Sequence, residues 1–452
     1  MPAAQASPNA SADEIYASSN VKQVGRLAYR GGTDLEFANI AGRRYVVAGG
    51  QTNYTPDEFA GIRIIDVTTP TKPKLTGFLH CNTSQNDIQV RGRYAYVGID
   101  FDTNGGVLDA PDCWANLGDD VGPQAGVLVV DLGNPRRPRA VGFVAIADGA
   151  HNTTLHPTKP LLYVSVSELP DRPNVIHVVD VRNPRRPKVV ATPAMQPGDT
   201  PHEITFNKKG TRAYVASSFT HSLVLDTTNP LAPKVISRIS DPAINFHHQA
   251  DPTPDGHYLL ISDELVGAEG NGYCPGGGIH VWDLTVEAAP VKVGAYFIPD
   301  SFAETDDTTK GPRPLLGDIR PYRCTAHVMR IAPDGRTLVM GWYSQGAQVL
   351  DLSGLPGLSA GAQGLDAGVG IRRLGHWSVR FGDAWSAKMD DRGYIFTGDT
   401  QRGMDVLRYV RPKATPGPDP GWLTPAQALR RGLAARAAQP VRTYFCYERI
   451  SG

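Results

Sequence analysis

The stretch "TPHEITFNKKGTRAYVAS", residues 200–217, consists of two short β-rich runs separated by a Lys-Lys-Gly turn. This pattern is typical of a β-hairpin. The layout recurs in "FHHQADPTPDGHYLLIS" (246–262) and "AHVMRIAPDGRTLVMG" (326–341). In each copy the glycine of the turn lies eight residues after a histidine, in the pairs His202 and Gly210, His248 and Gly256, His327 and Gly335. The recurrence indicates a repeated structural unit.

Four further copies complete the repeat. The same offset from a turn glycine gives Asp34 in "TDLEFANIAGRRYVVAGG" (33–50) and Trp385 in "AWSAKMDDRGYIFTG" (384–398). In "AHNTTLHPTKPLLYVSV" the glycine is missing, but His151 precedes a tyrosine by twelve residues, as His202 does. In "NDIQVRGRYAYVGI" the turn is shorter, and Asp87 matches Asp34 through the strings DIQV and DLEF. The chain therefore contains seven copies.

A second motif follows each copy and predicts two more strands. It is a β-branched run that ends in aspartate, then a proline-bounded turn and another apolar run, as in "GIRIIDVTTPTKP", "GVLVVDLGNPRRP" and "VIHVVDVRNPRRP". The aspartates at this position are Asp66, Asp131, Asp180, Asp226, Asp283 and Asp351, and "GMDVLRY" is the most degenerate copy. Each repeat is thus a four-stranded sheet, which must stack against its neighbours to bury both faces.

The ends of the chain predict closure of the fold. The segment "VKQVGRLAY" (21–29) resembles a fourth strand with no three strands before it, and the last copy has three strands and no clear fourth. Pairing the two would hide the sheet edges. We therefore predict an all-β, seven-bladed β-propeller over residues 21–410, closed by an N-terminal strand. A flexible N-terminus (1–20) precedes it, and a linker with a short C-terminal helix and tail (411–452) follows it.

These repeats resemble the LVIVD repeat, a bacterial and archaeal β-propeller family found largely in exported or surface proteins. The resemblance is carried by "GIRIIDVTTPTKP" and "IHVVDVRNPRRP" and covers about residues 21–410. It implies the propeller fold and an exported location, and it implies no particular reaction. A weaker similarity links the histidines before "PDG" hairpins to the selenium-binding protein and methanethiol oxidase propellers.

The repeat register predicts a metal site. The first strand of each blade of a propeller lines the central channel, so residues in equivalent register form a ring. The predicted ring residues are Asp34, Asp87, His151, His202, His248, His327 and Trp385. Imidazole and carboxylate groups suit Fe, Cu, Zn or Mn, so the four histidines and two aspartates are candidate ligands. The alternative is that the blades inherited these histidines for a structural role in a water-filled channel.

Other side chains are candidates for the surroundings of the ion. Glu36 and Gln89 lie two residues after Asp34 and Asp87, on the same strand face. Lys388 lies near their register in the last copy and is a candidate charge partner for Glu36. Together with Trp385, these residues are predicted to surround the ligands in the channel.

The cysteines and the first residues favour export. Cys81 begins the connection into the second blade and Cys113 lies in the long insertion of that blade, whereas Cys274 and Cys324 bracket the connection between the fifth and sixth blades. Two disulfides, Cys81–Cys113 and Cys274–Cys324, would fix loops with little core of their own; unpaired buried thiols are the alternative. Ala4-Gln5-Ala6 before Ser7 resembles the remnant of a signal-peptide cleavage site. We therefore expect a secreted or cell-surface protein in preference to a cytoplasmic one.

Two classes of function fit this sequence. Long loops at residues 100–124, 262–278 and 299–324 should lie on the face where the ring begins. In the first class, the loops select a small-molecule substrate for a metal-dependent oxidoreductase or hydrolase. In the second, a noncatalytic propeller binds a protein or glycan through its loop face. The formal net charge of zero and the lack of a basic, aromatic-rich face argue against nucleic acid. No apolar run is long enough to span a membrane, and we expect a monomer.

Overall fold

A computed structural model of the full chain describes most of its residues. The described residues are 15–50, 60–81, 87–100, 111–118, 121–166, 175–264, 276–299, 314–315, 318–319, 324–357, 370–380, 382–413 and 419–437. The chain forms two compact units. The N-terminal unit contains Gly25–Arg238 and Thr400–Asp405, and the C-terminal unit contains Ile239–Asp399 together with Met1–Val24 and Val406–Glu448.

Two short strands, β1 (Ile15–Ala17) and β2 (Val21–Ala28), begin the described chain. Four antiparallel sheets follow, each with its strands in sequence order. The first contains β3 (Gly32–Ile40), β4 (Arg43–Gly50), β5 (Gly61–Asp66) and β6 (Lys74–His80). The second contains β7 (Ile88–Arg91), β8 (Tyr94–Ile99), β9 (Gly126–Asp131) and β10 (Arg139–Ala145), with helix α1 (Pro111–Trp114) between β8 and β9. The third contains β11 (Asn152–Leu155), β12 (Leu161–Ser165), β13 (Ile176–Asp180) and β14 (Lys188–Ala191). The fourth contains β15 (Glu203–Phe206), β16 (Arg212–Ser217), β17 (His221–Asp226) and β18 (Lys234–Ile239).

Three more sheets of the same kind complete the fold. The fifth contains β19 (His247–Pro252), β20 (Tyr258–Asp263), β21 (Ile279–Asp283) and β22 (Val291–Tyr296). A separate two-stranded sheet pairs β23 (Pro314–Leu315) with β24 (Asp318–Ile319). The sixth contains β25 (Met329–Ile331), β26 (Thr337–Gly341), β27 (Ala347–Asp351) and β28 (Arg372–Val379), with a short 3₁₀ turn at Leu355–Gly357. The seventh contains β29 (Ala384–Met389), β30 (Tyr394–Asp399) and β31 (Gly403–Tyr409), and β2 is its outer strand.

The sheet order confirms the predicted seven-bladed β-propeller closed by an N-terminal strand. The ends also add strands that the repeat pattern does not predict. Residues 15–17, assigned above to a flexible N-terminus, form β1 and pair with β28. Near the C-terminus, β32 (Trp422–Leu423) pairs with β22 and precedes the predicted helix, α2 (Pro425–Ala437). Both added strands are two or three residues long, so their sequences carry no recognisable alternation.

The aspartate of the second motif caps the turn between the third and fourth strands of a sheet. In each case one carboxylate oxygen accepts a hydrogen bond from the backbone N–H two residues later, which defines an Asx turn. The donors are Thr68, Gly133, Arg182, Thr228, Thr285 and Ser353, at distances of 2.7–3.3 Å. The recurring aspartate is therefore explained by turn geometry.

A glycine in the fourth strand receives the proline turn of the next sheet. A Cβ atom at Gly77 would lie 2.1 Å from the Pro135 oxygen, and one at Gly142 would lie 2.2 Å from the Pro184 oxygen. The fourth strand is also bulged beside these glycines, between Leu75 and Gly77 and between Ala140 and Gly142. The glycines of the "TGF" and "VGF" segments thus allow the backbone of the next sheet to approach closely, and this contact stacks neighbouring sheets.

Replacing Gly142 with alanine should therefore destabilise the protein by about 1–3 kcal/mol. The new methyl group collides with a backbone oxygen, which cannot rotate away as a side chain can. The midpoint of urea unfolding measures the effect. Gly122→Ala is the matched control, because a Cβ atom there meets no atom within 4 Å. Equal midpoints for the two variants would contradict the role of Gly142 in stacking.

The predicted Cys81–Cys113 disulfide is present and joins the end of β6 to α1, with a Cα–Cα distance of 5.1 Å. Both cysteines are fully buried in a cluster that includes Ile88 and Trp114. Cys324 is also disulfide-bonded. Its predicted partner, Cys274, lies outside the described residues.

Candidate metal centre

The residues aligned by the repeat register all lie at the start of the first strand of a sheet. Three stand at irregularities in the register with the second strand, which interrupt the alternation of the strand and redirect a side chain. These three are Asp34, His248 and Trp385. The other four, Asp87, His151, His202 and His327, immediately precede the first strand or come two residues before it. The alignment made from sequence thus selects equivalent positions in all seven sheets.

The two aspartates hydrogen-bond to backbone groups of the next sheet. Asp34 Oδ2 accepts from the Ile88 N–H at 3.3 Å. Asp87 Oδ2 accepts from both the backbone N–H and the hydroxyl of Thr153, each at 2.7 Å. These contacts give both carboxylates a role in joining first strands. Their predicted role as metal ligands stays a prediction.

The predicted surrounding residues occupy the first strands as expected from their register. Glu36 lies on β3, where its carboxylate accepts a hydrogen bond from the Phe37 N–H at 3.3 Å. Gln89 lies on β7 and Lys388 on β29, and both are half-buried. Their predicted part in the surroundings of an ion stays a prediction.

In the N-terminal unit the structure brings together Asp100, His151 and His202, which we call the N-terminal histidine cluster. His151 Nδ1 lies 2.9 Å from Asp100 Oδ2, and its Nε2 lies 2.9 Å from His202 Nε2. All three residues are buried. Because a carboxylate accepts, Asp100 places the proton of neutral His151 on Nδ1 and leaves a lone pair on Nε2. That lone pair can accept a hydrogen bond from His202 Nε2–H or bind a metal ion.

In the C-terminal unit the structure brings together His248, Glu264 and His327, which we call the C-terminal histidine cluster. One ligand atom from each residue lies within 4.8 Å of the other two. His248 Nε2 is 3.7 Å from Glu264 Oε2, and His327 Nε2 is 3.6 Å from Glu264 Oε1. The imidazole centroids are 4.1 Å apart. All three side chains are at most 2% exposed, so the cluster is a buried set of candidate ligands.

The distances in the C-terminal histidine cluster suit an ion better than direct hydrogen bonds. Separations of 3.6 and 3.7 Å between nitrogen and oxygen are too long for a hydrogen bond. Ligands about 2.0–2.2 Å from a tetrahedral zinc ion lie about 3.4 Å apart. The two nitrogen–oxygen separations are close to that value, and one ligand atom from each of the three residues lies within 4.8 Å of the other two.

Neighbouring groups hold His327 and Glu264 of this cluster in place. His327 Nδ1 donates to the Trp385 carbonyl oxygen at 2.7 Å. The proton on Nδ1 leaves Nε2, which faces Glu264, available as a ligand. The Tyr343 hydroxyl donates to Glu264 Oε1 at 2.5 Å. In metal sites, a histidine ligand commonly donates its second ring N–H to a backbone carbonyl. A ligating carboxylate commonly accepts a hydrogen bond from a neighbouring group.

The repeat register predicts the histidines of both clusters, whereas Asp100, Glu264 and Tyr343 lie outside the predicted site. Asp100 and Glu264 share a position that could have revealed them, since each directly follows the second strand of its sheet. Tyr343 lies in the turn between β26 and β27. Most of the three long loops, 100–124, 262–278 and 299–324, lies outside the described residues.

Two histidines outside the two clusters, His156 and His280, are buried among structural contacts. His156 Nε2 donates to the Gly210 carbonyl at 3.1 Å, and its Nδ1 accepts from the Thr158 and Lys159 N–H groups. Burial lowers the pKa of His156 below its ordinary value, which keeps it neutral in this role. His280 is fully buried, and desolvation followed by the charge of Lys292 lowers its pKa well below the ordinary value. These contacts agree with a packing role.

Comparisons with known proteins support the fold. No family model matches the chain, and no curated protein matches it in sequence. The β-propeller domain of Myceliophteria thermophila Cps50 (Swd1) has a similar structure, with a TM-score of 0.51 and 10% identity, over 86% of this chain and 100% of that domain. A functionally unknown protein from Desulfotomaculum acetoxidans DSM 771 aligns with a TM-score of 0.47 and 15% identity, over 76% of this chain and 88% of that one. At 10% identity the likeness to the Cps50 domain concerns the fold alone.

In the part of the chain that the structure describes, no helix is long and apolar enough to cross a membrane.

Proposed function

We propose that this protein is a metal-dependent enzyme whose ion is bound by His248, Glu264 and His327. The observation that carries the proposal is the convergence of two imidazoles and one carboxylate within 4.8 Å in a buried site. Three protein ligands leave coordination positions for water or a substrate. Catalytic metal sites have such open positions, whereas structural sites are closed by protein ligands. Such an ion activates water or dioxygen, or polarises a substrate oxygen.

The donor set limits the choice of metal and, with it, the reaction. Two histidines and one carboxylate are the ligands of nonhaem Fe(II) oxygenases and of several zinc hydrolases. Iron or copper would support oxidoreductase chemistry on a small molecule, and zinc or manganese would support hydrolysis. The identity of the bound metal therefore decides between the two reaction classes.

Metal analysis of protein purified without a His tag tests the proposal. We expect a stoichiometric transition metal in the wild-type protein and its loss in His248→Ala/His327→Ala. The matched control is His221→Ala/His257→Ala, which removes two imidazoles outside both clusters and should keep the metal. A wild-type protein that takes up no Fe, Cu, Zn or Mn after reconstitution would overturn the proposal and favour binding of a protein or glycan.

A further double variant tests the ligands predicted from the repeat register. His151→Ala/His202→Ala removes the two imidazoles of the N-terminal histidine cluster. The sequence prediction requires metal to be lost from this variant too, because all four histidines were expected to be ligands. Full retention of metal would restrict the ligands to the C-terminal histidine cluster and leave His151 and His202 as a hydrogen-bonded pair.

We also propose that the chain is an exported LVIVD-repeat protein. The resemblance of its third-strand motifs supports the family, and the Asx turns show that the motif has a defined structural role. The Cys81–Cys113 disulfide and the disulfide-bonded Cys324 support export, since disulfides persist in oxidising compartments.

A further inference from the structure

We propose that Tyr343 is a positioning residue that holds Glu264 in place as the carboxylate ligand of the metal centre. The inference rests on the proposed function, because it assigns a role toward the same ion. It adds a residue that no repeat pattern indicates. Tyr343 has an unusual backbone conformation, and contacts with neighbouring residues impose this conformation. Together they direct the tyrosine hydroxyl group toward Glu264.

Tyr343 has an unusual backbone conformation. Its φ is 40°, and among the described residues the other non-glycine residues with positive φ are Ala41 and Ser218. For a bulky aromatic side chain this region is sterically unfavourable. Residues in such conformations persist where surrounding contacts impose them, and they concentrate at functional sites. Ser218 occupies the equivalent turn of the fourth sheet and also has a positive φ. The turn itself therefore favours a positive φ at this position but does not require an aromatic side chain.

Hydrogen bonds to the seventh sheet impose this conformation. The Tyr343 N–H donates to the Ala384 carbonyl at 3.0 Å, and the Ala384 N–H donates to the Tyr343 carbonyl at 2.9 Å. The next residue, Trp385, accepts the hydrogen bond from His327 Nδ1. One short segment, Ala384 and Trp385, therefore orients both the tyrosine and one of the proposed ligands.

The side chain of Tyr343 is held as firmly as its backbone. Its ring lies 4.5 Å from the His327 ring and 6.0 Å from the Trp385 ring, centroid to centroid. Tyr343 is fully buried, and its hydroxyl donates to Glu264 Oε1. Tyr343 thus fixes the direction in which Glu264 presents its carboxylate.

Titration of the apoprotein with Zn²⁺ or Co²⁺ against a competing chelator tests the inference. We expect Tyr343→Phe to bind either ion about 10–100-fold more weakly than the wild type, the range typical of groups that orient metal ligands. The absorption bands of bound Co²⁺ should shift, because the position of one ligand changes. Tyr163→Phe is the matched control, since it also removes a buried hydroxyl, one that donates to the Pro230 carbonyl at 2.5 Å. It should leave affinity and spectrum unchanged.

A double-variant comparison separates positioning from a general structural effect. If Tyr343 acts through Glu264, then Tyr343→Phe should weaken binding much less in a Glu264→Gln background than in the wild type. Equal weakening in both backgrounds, or unchanged affinity of Tyr343→Phe, would overturn the inference while the metal centre stood. Absence of metal binding by the wild-type protein would overturn the proposed function and this inference together.

Discussion

Replacing Asp405 with alanine should destabilise the protein by about 3–5 kcal/mol, because it leaves a buried guanidinium without its carboxylate. Arg402 Nε donates to Asp405 Oδ2 at 2.9 Å and Nη2 to Oδ1 at 3.4 Å. The two side chains are 7% and 0% exposed. A second arginine, Arg26, lies 3.9 Å from the same carboxylate and is about one-third exposed. Urea unfolding of the wild-type and Asp405→Ala proteins measures the difference.

The double variant Arg402→Met/Asp405→Leu identifies the cause of this loss. Removing both charged groups avoids an uncompensated buried charge, so this variant should be much more stable than Asp405→Ala. An exposed pair gives a second control: Arg182 is 77% exposed and lies 3.6 Å from Asp180, and Arg182→Ala should have almost no effect. If the single and double variants at 402 and 405 unfolded together, packing rather than charge would explain the loss.

The fold of this chain was predictable because the sheets repeat the same order of strands and the same kinds of turn. The turn glycine, the aspartate of the Asx turn and the proline turn recur in most of the sheets at similar spacing, and each suits a turn that those sheets share. The closing strand was predictable for a different reason. The N-terminal segment is a fourth strand without a sheet, and the last repeat is a sheet without a fourth strand. Pairing the two covers the exposed edge of each.

The candidate site was predictable only in part. The histidines follow the repeat, so counting back from a glycine found His248 and His327. Glu264 and Tyr343 lie in connections between strands, where length and sequence differ from one sheet to the next. No local pattern signals that Glu264 Oε1 accepts a hydrogen bond from a residue 79 positions later. Such pairings depend on how the sheets stack, which a single repeat does not encode.

The same distinction applies to the two aspartates of the predicted ring. Asp34 and Asp87 share the register of the histidines, and sequence alone made them candidate ligands. In the structure both carboxylates hydrogen-bond to backbone N–H groups at the start of the next sheet. Register therefore identified equivalent positions, whereas the chemical role at each position depends on what the next sheet presents.

Removal of the Cys81–Cys113 disulfide is the second change for which we expect a large effect. The two cysteines are 32 positions apart. The chain-entropy relation for a loop of that length gives about 4 kcal/mol of stabilisation, because the cross-link restricts the unfolded chain. The bond also fixes α1 against β6 and β10, where Trp114 packs edge-on to Phe143 at 5.1 Å. Loss of the cross-link should therefore loosen this connection before the sheets unfold.

The variant Cys81→Ala/Cys113→Ala tests this expectation more cleanly than a reductant, because Cys324 is also disulfide-bonded and would be affected by reduction. Alanine is preferable to serine, since both sites are fully buried and a hydroxyl would add a desolvation cost. We expect the free energy of unfolding to fall by about 4 kcal/mol and limited proteolysis to cut near α1 first. A variant as stable as the wild type would show that this connection is held by packing alone. The disulfide would then be weak support for export, because a protein that does not depend on a cross-link folds equally well in a reducing compartment.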